Sequence, residues 1–241
     1  MARKPPKTVF ADECEYLVES RDKAHAAFYS AQIFGGPSLH FHHRALDAAK
    51  GSADDFAEPV YAVLVAWGMH RMGPGGSKMR SFGEFRDSVR NVWGQIQTLQ
   101  AADPASLDES GWADLRAAFV GIQCMASDSS LVGNSKVLAH ALPRLIPPVD
   151  RRYTLNFLCG HQQIVNDLPH EWIRLRLILE GCFYPLLGTP ALRESTLRWL
   201  ANREAFFWDT SPLKVIDNLI IGLGGVMPPA PSGQGPVLSA I

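Results

Sequence analysis

The sequence predicts an all-α protein, and three observations support that prediction. Apolar residues recur at helical spacing along almost the whole chain, whereas the alternation typical of strands is almost absent. Capping residues precede many of these segments, and Gly-rich or Pro-rich breaks follow them. The chain is 46% hydrophobic and 20% charged, which supplies enough apolar surface for a core. We therefore predict a compact domain of about nine to ten helices.

Caps and breaks divide the front half of the chain into five helices. Ser52 and the pair Ser81/Glu84, a capping box, mark two helix starts. The glycine- and proline-rich stretches at 35–37 and 73–76 mark two breaks. The predicted helices cover about 11–33, 38–50, 54–72, 81–100 and 110–125.

Helices continue behind a polar hinge at 127–130. The next one is predicted to begin after a turn at Gly133-Asn134-Ser135, with Lys136 in its first turn. The double proline at 147–148 then stops the chain before Asp150, which is placed to cap another helix. The remaining helices are predicted near 151–158, 171–187, 190–208 and 212–223.

The domain organisation follows from the few linker-like stretches. A single helical domain over residues 1–226 is the economical interpretation. Two helical lobes, 9–126 and 131–226, with a groove at the hinge, are the open alternative. Residues 227–241 are rich in Pro, Gly and Ser and are predicted to form a disordered, flexible tail.

Composition also narrows the classes of function. The net charge of -1 gives no general attraction to nucleic acids, membranes or acidic substrates, so any basic surface must be local. No signal peptide and no apolar run long enough for a bilayer is found, which predicts a cytoplasmic protein without membrane association. The four cysteines lack zinc-like spacing and are predicted to be reduced, buried thiols. We predict no cofactor.

The segment from Leu131 to Thr154 carries the features most typical of a functional site. A helix N-terminus with free N–H groups, a hydroxyl and a lysine is suited to binding a phosphate. On a helical wheel, Lys136, His140 and Arg144 share one face, opposite an apolar face. A solvated helix surface explains the same pattern without a ligand. Asp150 is likewise a helix cap or a catalytic carboxylate.

This segment resembles the helix-hairpin-helix DNA glycosylases, which are all-helical enzymes that excise damaged bases. The resemblance rests on Gly133, Lys136, Pro148, Val149 and Asp150, and the chain lacks the family's Pro and paired glycines in the hairpin. It implies that the turn at 133–135 binds a DNA phosphate. It also implies that Lys136 is a Schiff-base nucleophile and that Asp150 activates it or stabilises positive charge on the sugar.

DNA is therefore the candidate partner, and the sequence offers further residues that could contact it. Arg144, Arg151 and Arg152 form a local basic run with Lys136, and phosphate contacts need such clusters. Base flipping needs an aromatic or apolar pocket, for which the sequence offers four candidates that are otherwise core residues. They are Trp67, Trp93, Trp172 and Tyr153.

Two other groups of polar residues were weighed and interpreted as helix surface. His40, His42 and His43, with Asp47, could supply metal ligands, but no partner stands at a ligand spacing, so we predict no metal site. Glu171 and Glu180 lie on an amphipathic helix and are predicted to be solvated.

Two hypotheses of different class remain. In the first, the protein binds nucleic acid and acts as a glycosylase or lyase through Lys136 and Asp150. In the second, it is a non-enzymatic helical interaction or regulatory protein, in which the double proline sets the angle between two core helices. The hypotheses differ in geometry, because the first requires both side chains to face a common groove lined by Arg151 or Arg152.

Overall fold

The computed structural model describes residues 9–31, 35–73, 76–127 and 129–225. The predicted tail, two residues of the glycine loop at 73–76 and Asp128 of the hinge lie outside this part of the chain. Within it, no helix is both long and apolar enough to cross a bilayer. All four cysteines are free thiols, of which Cys124 and Cys182 are buried and Cys14 and Cys159 are half-buried.

The prediction of an all-α fold is confirmed. The described residues form ten helices, one two-residue hairpin and a short 3₁₀ turn at Pro104–Ser106. Two of the helices include a π-helical turn, one at Arg151–Leu155 and one at Leu179–Phe183. The helices are α1 (Ala11–Ser30), α2 (Pro37–Ala48), α3 (Ala53–Ala66), α4 (Phe82–Leu99), α5 (Glu109–Gly121), α6 (Leu131–Ala141), α7 (Arg151–Leu155 and Asn156–Cys159), α8 (Leu168–Ile178, Leu179–Phe183 and Tyr184–Leu187), α9 (Pro190–Ala201) and α10 (Pro212–Gly222); the hairpin pairs β1 (Met72–Gly73) with β2 (Gly76–Ser77).

Both predicted serine caps are confirmed, whereas α3 ends earlier than predicted. The Ser52 and Ser81 side chains each accept a hydrogen bond from the backbone N–H three residues later. Helix α3 ends at Ala66 because Gly68 adopts a left-handed φ of 73°. The Gly68 N–H donates to Val65 and the next N–H to Leu64, the paired bonds of a Schellman motif. This early end turns the chain and leaves Trp67 at the C-cap.

Helices α1 and α10 come from opposite ends of the described chain and pack against each other. Gly222 permits the close approach, because a Cβ atom there would lie 2.0 Å from the Ala24 carbonyl oxygen. The main hydrophobic core includes residues from the first helix to the last. Helix α10 is therefore an interior helix of the fold.

Helix α6 is buried on nearly every side, which contradicts the predicted solvated face. It contacts α2, α3, α5 and α8. It begins at Leu131, so Gly133 lies within the helix and the predicted turn at 133–135 is wrong. It ends at Ala141 because Pro143 cannot donate to the helical ladder and restricts the residue before it. Arg144 consequently lies beyond the helix.

Candidate functional site

Lys136 and Asp150 form an ion pair between α6 and the start of α7. The Lys136 Nζ atom lies 3.0 Å from Asp150 Oδ2, across 14 residues of sequence. The other carboxylate oxygen, Oδ1, accepts a hydrogen bond of 2.8 Å from the Arg152 backbone N–H. The predicted helix cap is therefore confirmed. Capping and pairing with lysine are compatible, since each uses a different oxygen of the same carboxylate.

The connection between the two residues is held against α6 by Ser135. The Ser135 hydroxyl accepts a hydrogen bond of 3.1 Å from the Val149 N–H and donates to the Val132 carbonyl oxygen. The Asp150 N–H donates to the Thr154 hydroxyl at 3.1 Å, inside the π-helical turn that opens α7. These bonds fix the backbone on both sides of Asp150. Ser135 therefore positions the ion pair from within the helix.

The surroundings of Asp150 favour its charged form. Burial works to raise the pKa of Asp150, but the Lys136 ammonium and the N–H groups at the start of α7 outweigh it and hold that pKa below its ordinary value. Lys136 is almost buried, whereas the Asp150 side chain is 31% exposed. The ammonium also lies 5.5 Å from the centre of the Trp67 ring, within range of a cation–π contact.

Both side chains face one cavity of about 350 Å³, and Arg152 stands on its wall. The geometric condition set by the first hypothesis is therefore met. The cavity lies between the end of α3, helix α6, the start of α7 and helix α10. Its lining combines aromatic rings, four cations and two carboxylates: Trp67, Tyr153, Trp208, Arg71, Lys136, Arg152, Lys214, Asp150 and Asp217, with Pro148 and Ile221.

A second lysine–aspartate pair lies on α10 at the same cavity. Lys214 Nζ is 2.7 Å from Asp217 Oδ2 and also donates to the Asn218 side-chain oxygen. Asn218 donates in turn to Asp209 at 2.8 Å, and Asp209 pairs with His25 at 2.8 Å. Burial raises the pKa of Asp217, against the lowering effect of the Lys214 charge. The second pair therefore belongs to a buried polar network.

Two buried histidines support the backbone of Lys136. His140 Nδ1 lies 2.7 Å from the Lys136 carbonyl oxygen, so this nitrogen carries the proton and donates. His140 Nε2 must then accept from His42 Nδ1 at 2.9 Å, and His42 Nε2 accepts from the Thr210 hydroxyl at 3.0 Å. The bond between the two rings requires a neutral His140, because its Nε2 atom must accept. Burial lowers the pKa of His140 to about 4 and that of His42 well below its ordinary value.

The α6 N-terminus, predicted to bind a phosphate, is occupied by the protein's own carboxylate. Glu171 is fully buried, and its Oε2 accepts hydrogen bonds from the backbone N–H groups of Ser130 and Leu131, the latter at 2.6 Å. The prediction that Glu171 is solvated is therefore wrong. An acidic side chain from α8 satisfies the N–H groups and the dipole of α6, and this leaves no anion site there.

The three residues assigned to that phosphate site are internal. Gly133 packs against Cys124 and Met125, and Asn134 donates to the Phe119 and Ile122 carbonyl oxygens at the end of α5. Asn134 and Ser135 have no exposed surface. They hold helices and connections together, and a phosphate does not reach them in this conformation.

The structure separates the residues of the predicted basic run. His140 is buried in the histidine chain, and Arg144 lies on the surface 3.7 Å from Asp103, away from the cavity. Arg151 is exposed and donates to the Gln162 carbonyl oxygen at 2.7 Å. Of the predicted arginines, Arg152 alone lines the cavity.

The other expectations divide between cavity and core. Trp67 and Tyr153 line the cavity, whereas Trp93 and Trp172 are buried core residues. His42 is buried, so its assignment to a polar helix surface is wrong. Within the described part of the chain, no three His, Cys, Asp or Glu side chains come together as metal ligands.

Five cavity residues are not predicted from the sequence: Arg71, Trp208, Lys214, Asp217 and Ile221. Lys214 and Asp217 left a signal in the sequence, because they stand three residues apart in the otherwise apolar run PLKVIDNLIIG. A helix that is apolar on all faces is buried, and charged residues within it must be paired. Arg71 and Trp208 left no comparable pattern.

Comparison with models of protein families, with curated proteins and with solved structures finds no match to this chain.

Proposed function

We propose that the protein is a nucleic-acid-binding enzyme that cleaves the bond between a base and its sugar, in the manner of a DNA glycosylase and lyase. The observation that carries this proposal is the Lys136–Asp150 pair, with its 3.0 Å separation, in a cavity lined by aromatic and cationic side chains. An amine nucleophile, a carboxylate beside it and a recess for a planar group are the parts this reaction needs.

The reaction assigns one role to each member of the pair. Lys136 Nζ attacks the sugar C1′ as the bond from C1′ to the base nitrogen breaks, and one ammonium proton passes to the departing base. The sugar C1′–O4′ bond then opens, and O4′ takes a second proton from the same nitrogen. The product is a protonated Schiff base between Lys136 and the sugar. The Asp150 carboxylate stabilises the positive charge that develops at C1′.

The cavity suits an extruded nucleotide on two further counts. Arg71 and Arg152 are exposed residues that line it, so they are available to phosphates on either side of a flipped nucleotide. Trp67, Trp208 and Tyr153 offer ring surfaces for stacking, which is insensitive to the identity of the base. This contact surface replaces residues 133–135, which are buried within α6, as the expected site of DNA binding.

Borohydride trapping on DNA with an abasic site tests the proposal. The reagent reduces the Schiff base and leaves a covalent protein–DNA adduct that is visible on a denaturing gel. We expect an adduct with the wild-type protein and none with Lys136→Ala. With Asp150→Asn, the rate of adduct formation should fall at least tenfold. Lys214→Arg is the matched control, because it removes the other primary amine of the cavity and keeps the charge that pairs with Asp217. The absence of an adduct with the wild-type protein would contradict the proposal, and an adduct that depends on Lys214 would contradict the role of Lys136.

The non-enzymatic alternative is favoured by a specific observation. The Lys136–Asp150 pair, the Ser135 bond to Val149 and the Glu171 cap all join structural elements, as a purely structural connection would. Under this alternative the wild-type protein forms no adduct, and the Lys136 and Asp150 substitutions alter only its stability. The trapping experiment therefore separates the two classes of function.

A further inference from the structure

One of the residues that line the cavity, Asp217, has a carboxylate oxygen without a partner among the described residues. Asp217 is 2% exposed, and its Oδ2 atom is paired with Lys214. Its Oδ1 atom is buried and accepts no hydrogen bond from any described residue. A buried acceptor without a donor is costly, and such atoms in folded proteins need a specific explanation. Because Asp217 lines the cavity, a ligand that enters it is the natural source of a donor.

A donor without a partner lies on another wall of the same cavity. The indole Nε1 of Trp67 is buried and finds no acceptor among the described residues, although the Trp67 ring lines the cavity. Two described residues that line the cavity therefore each have a buried polar atom without a partner, an acceptor on Asp217 and a donor on Trp67. Both belong to side chains whose position is fixed, Asp217 by Lys214 and Trp67 by its place at the end of α3.

The aromatic lining restricts the shape of a ligand that satisfies both groups. Trp208 and Tyr153 present further ring surfaces to the cavity, which favours a planar heterocycle. The Lys214 ammonium lies 2.7 Å from Asp217 Oδ2, so Oδ1 is the oxygen that remains to accept from a ring N–H. A carbonyl oxygen on the same heterocycle is the group that would accept from an indole.

We propose that this cavity selects bases that contain a lactam, a ring N–H next to a carbonyl group, and that Asp217 is the specificity-determining acceptor. The inference rests on the proposed function, which places a base in the cavity, and adds the chemical class of that base. Hypoxanthine and guanine contain the lactam, whereas adenine and unsubstituted purine lack the ring N–H. Lys214 pairs with this carboxylate and also donates to the Asn218 side-chain oxygen, so Lys214 and Asn218 act as positioning residues that hold Asp217 in place.

Binding to duplexes that differ in one base tests the proposal. Three fluorescein-labelled duplexes contain deoxyinosine, deoxynebularine or a tetrahydrofuran abasic analogue at one position, and anisotropy gives the Kd of each. Deoxynebularine differs from deoxyinosine only in the lactam, so it introduces no steric clash. We expect the wild-type protein to bind the deoxyinosine duplex about tenfold more tightly than the deoxynebularine duplex, as a hydrogen bond to a charged acceptor allows.

Two variants assign the preference to one side chain. Asp217→Asn is expected to reduce the ratio of the two Kd values to within about twofold. Asp209→Asn is the matched control, because it makes the same change in the same buried network but does not line the cavity, and it should keep the preference. Equal binding of the two duplexes by the wild-type protein overturns the inference without any variant. A preference that survives in folded Asp217→Asn also overturns it.

Failure of this inference is distinguishable from failure of the proposed function. Borohydride trapping at an abasic site involves no base, so it reports on Lys136 and Asp150 and is independent of base recognition by Asp217. An adduct without a preference for deoxyinosine means that the assignment of Asp217 is wrong and the proposed function stands. If no adduct forms and none of the duplexes binds, the proposed function and this inference both fail.

Discussion

The two lysine–aspartate pairs of the cavity have the same chemistry in opposite surroundings. Lys136 and Asp150 join two elements, and the Asp150 side chain remains 31% exposed. Lys214 and Asp217 stand three residues apart on one helix, and neither side chain is more than 8% exposed. The pKa of Asp150 is lowered by its surroundings, whereas that of Asp217 is raised.

The difference shows that a paired carboxylate also depends on its exposure and on backbone donors. Asp150 caps a helix and receives N–H groups in addition to its lysine, so its charge is stabilised despite burial. Asp217 lies inside a helix whose N–H groups are already used, and its lysine alone does not offset desolvation. The first pair is suited to chemistry that needs a charged carboxylate. The second is suited to ligand recognition, because Asp217 Oδ1 still lacks a partner.

Removing the lysine from each pair should give the largest difference between them. Lys214→Met leaves a carboxylate buried without its counter-charge, and we expect the free energy of unfolding to fall by about 3–5 kcal/mol. Lys136→Met leaves Asp150 with its helix N–H groups and access to water, so we expect a loss of about 1–2 kcal/mol. Urea denaturation at neutral pH measures both values.

A double substitution controls for the loss of lysine packing. Lys214→Met with Asp217→Leu replaces the whole pair by apolar groups and should recover much of the stability lost in Lys214→Met alone. If both single lysine variants lose the same stability, the proposed contrast between the two pairs is wrong.

Acid should destabilise the protein by protonating His140, the buried histidine that donates to the Lys136 carbonyl oxygen. The pKa of His140 is about 4 in the folded protein against an ordinary value of 6.5, so the unfolded chain binds the proton more tightly in this range. The contribution to stability is therefore complete above pH 6.5 and is lost as the pH falls toward 4, on the order of 3 kcal/mol for this histidine. The free energy of unfolding measured from pH 7 to pH 4 should show this loss.

A variant assigns the acid effect to the buried ring. His140→Gln cannot take up the proton, so its stability should depend on pH less steeply than that of the wild-type protein, by about one proton. An unchanged slope in His140→Gln would show that the buried chain does not titrate in this range.

The smallest expected effect is on the pH dependence of stability, to which Asp150 and Asp217 should contribute with opposite sign. The lowered pKa of Asp150 contributes stability that is present above its unfolded value of 3.8 and lost as the pH falls. The raised pKa of Asp217 contributes stability that is present below that value and lost as the pH rises. The stability gap between wild type and Asp150→Asn should therefore widen from about pH 3 to pH 6, while the gap for Asp217→Asn narrows. Gaps that change in the same direction would contradict the contrast.

The fold was largely predictable because its determinants are local. Ser52 and Ser81 cap helices as predicted, and the all-α class follows from periodicity alone. The errors arose where tertiary contacts decide. Helix α6 shows an amphipathic wheel, yet α2, α3, α5 and α8 cover it on all sides. No spacing within the helix reports how many neighbours it will have.

The candidate site was predictable only where its partners are close in sequence. Lys136 and Asp150 belong to one short segment, and the prediction that they face a common groove is met. Glu171 occupies the predicted phosphate site from a helix 40 residues away, an arrangement that requires knowledge of how α8 docks. Trp208, Lys214 and Asp217 reach the cavity only because α10 packs in the interior.

The packing of α1 against α10 has a consequence for how the chain folds. The first helix of the described chain acquires its partner only when the last has been synthesised, so this contact is among the most distant in sequence that the fold contains. Contacts of this kind close late and slow folding, because the loop between them must be ordered first. Helix α10 also carries Lys214 and Asp217. The cavity is therefore completed in the same step that secures the N-terminal helix, and a nascent chain that lacks residues 212–222 has neither.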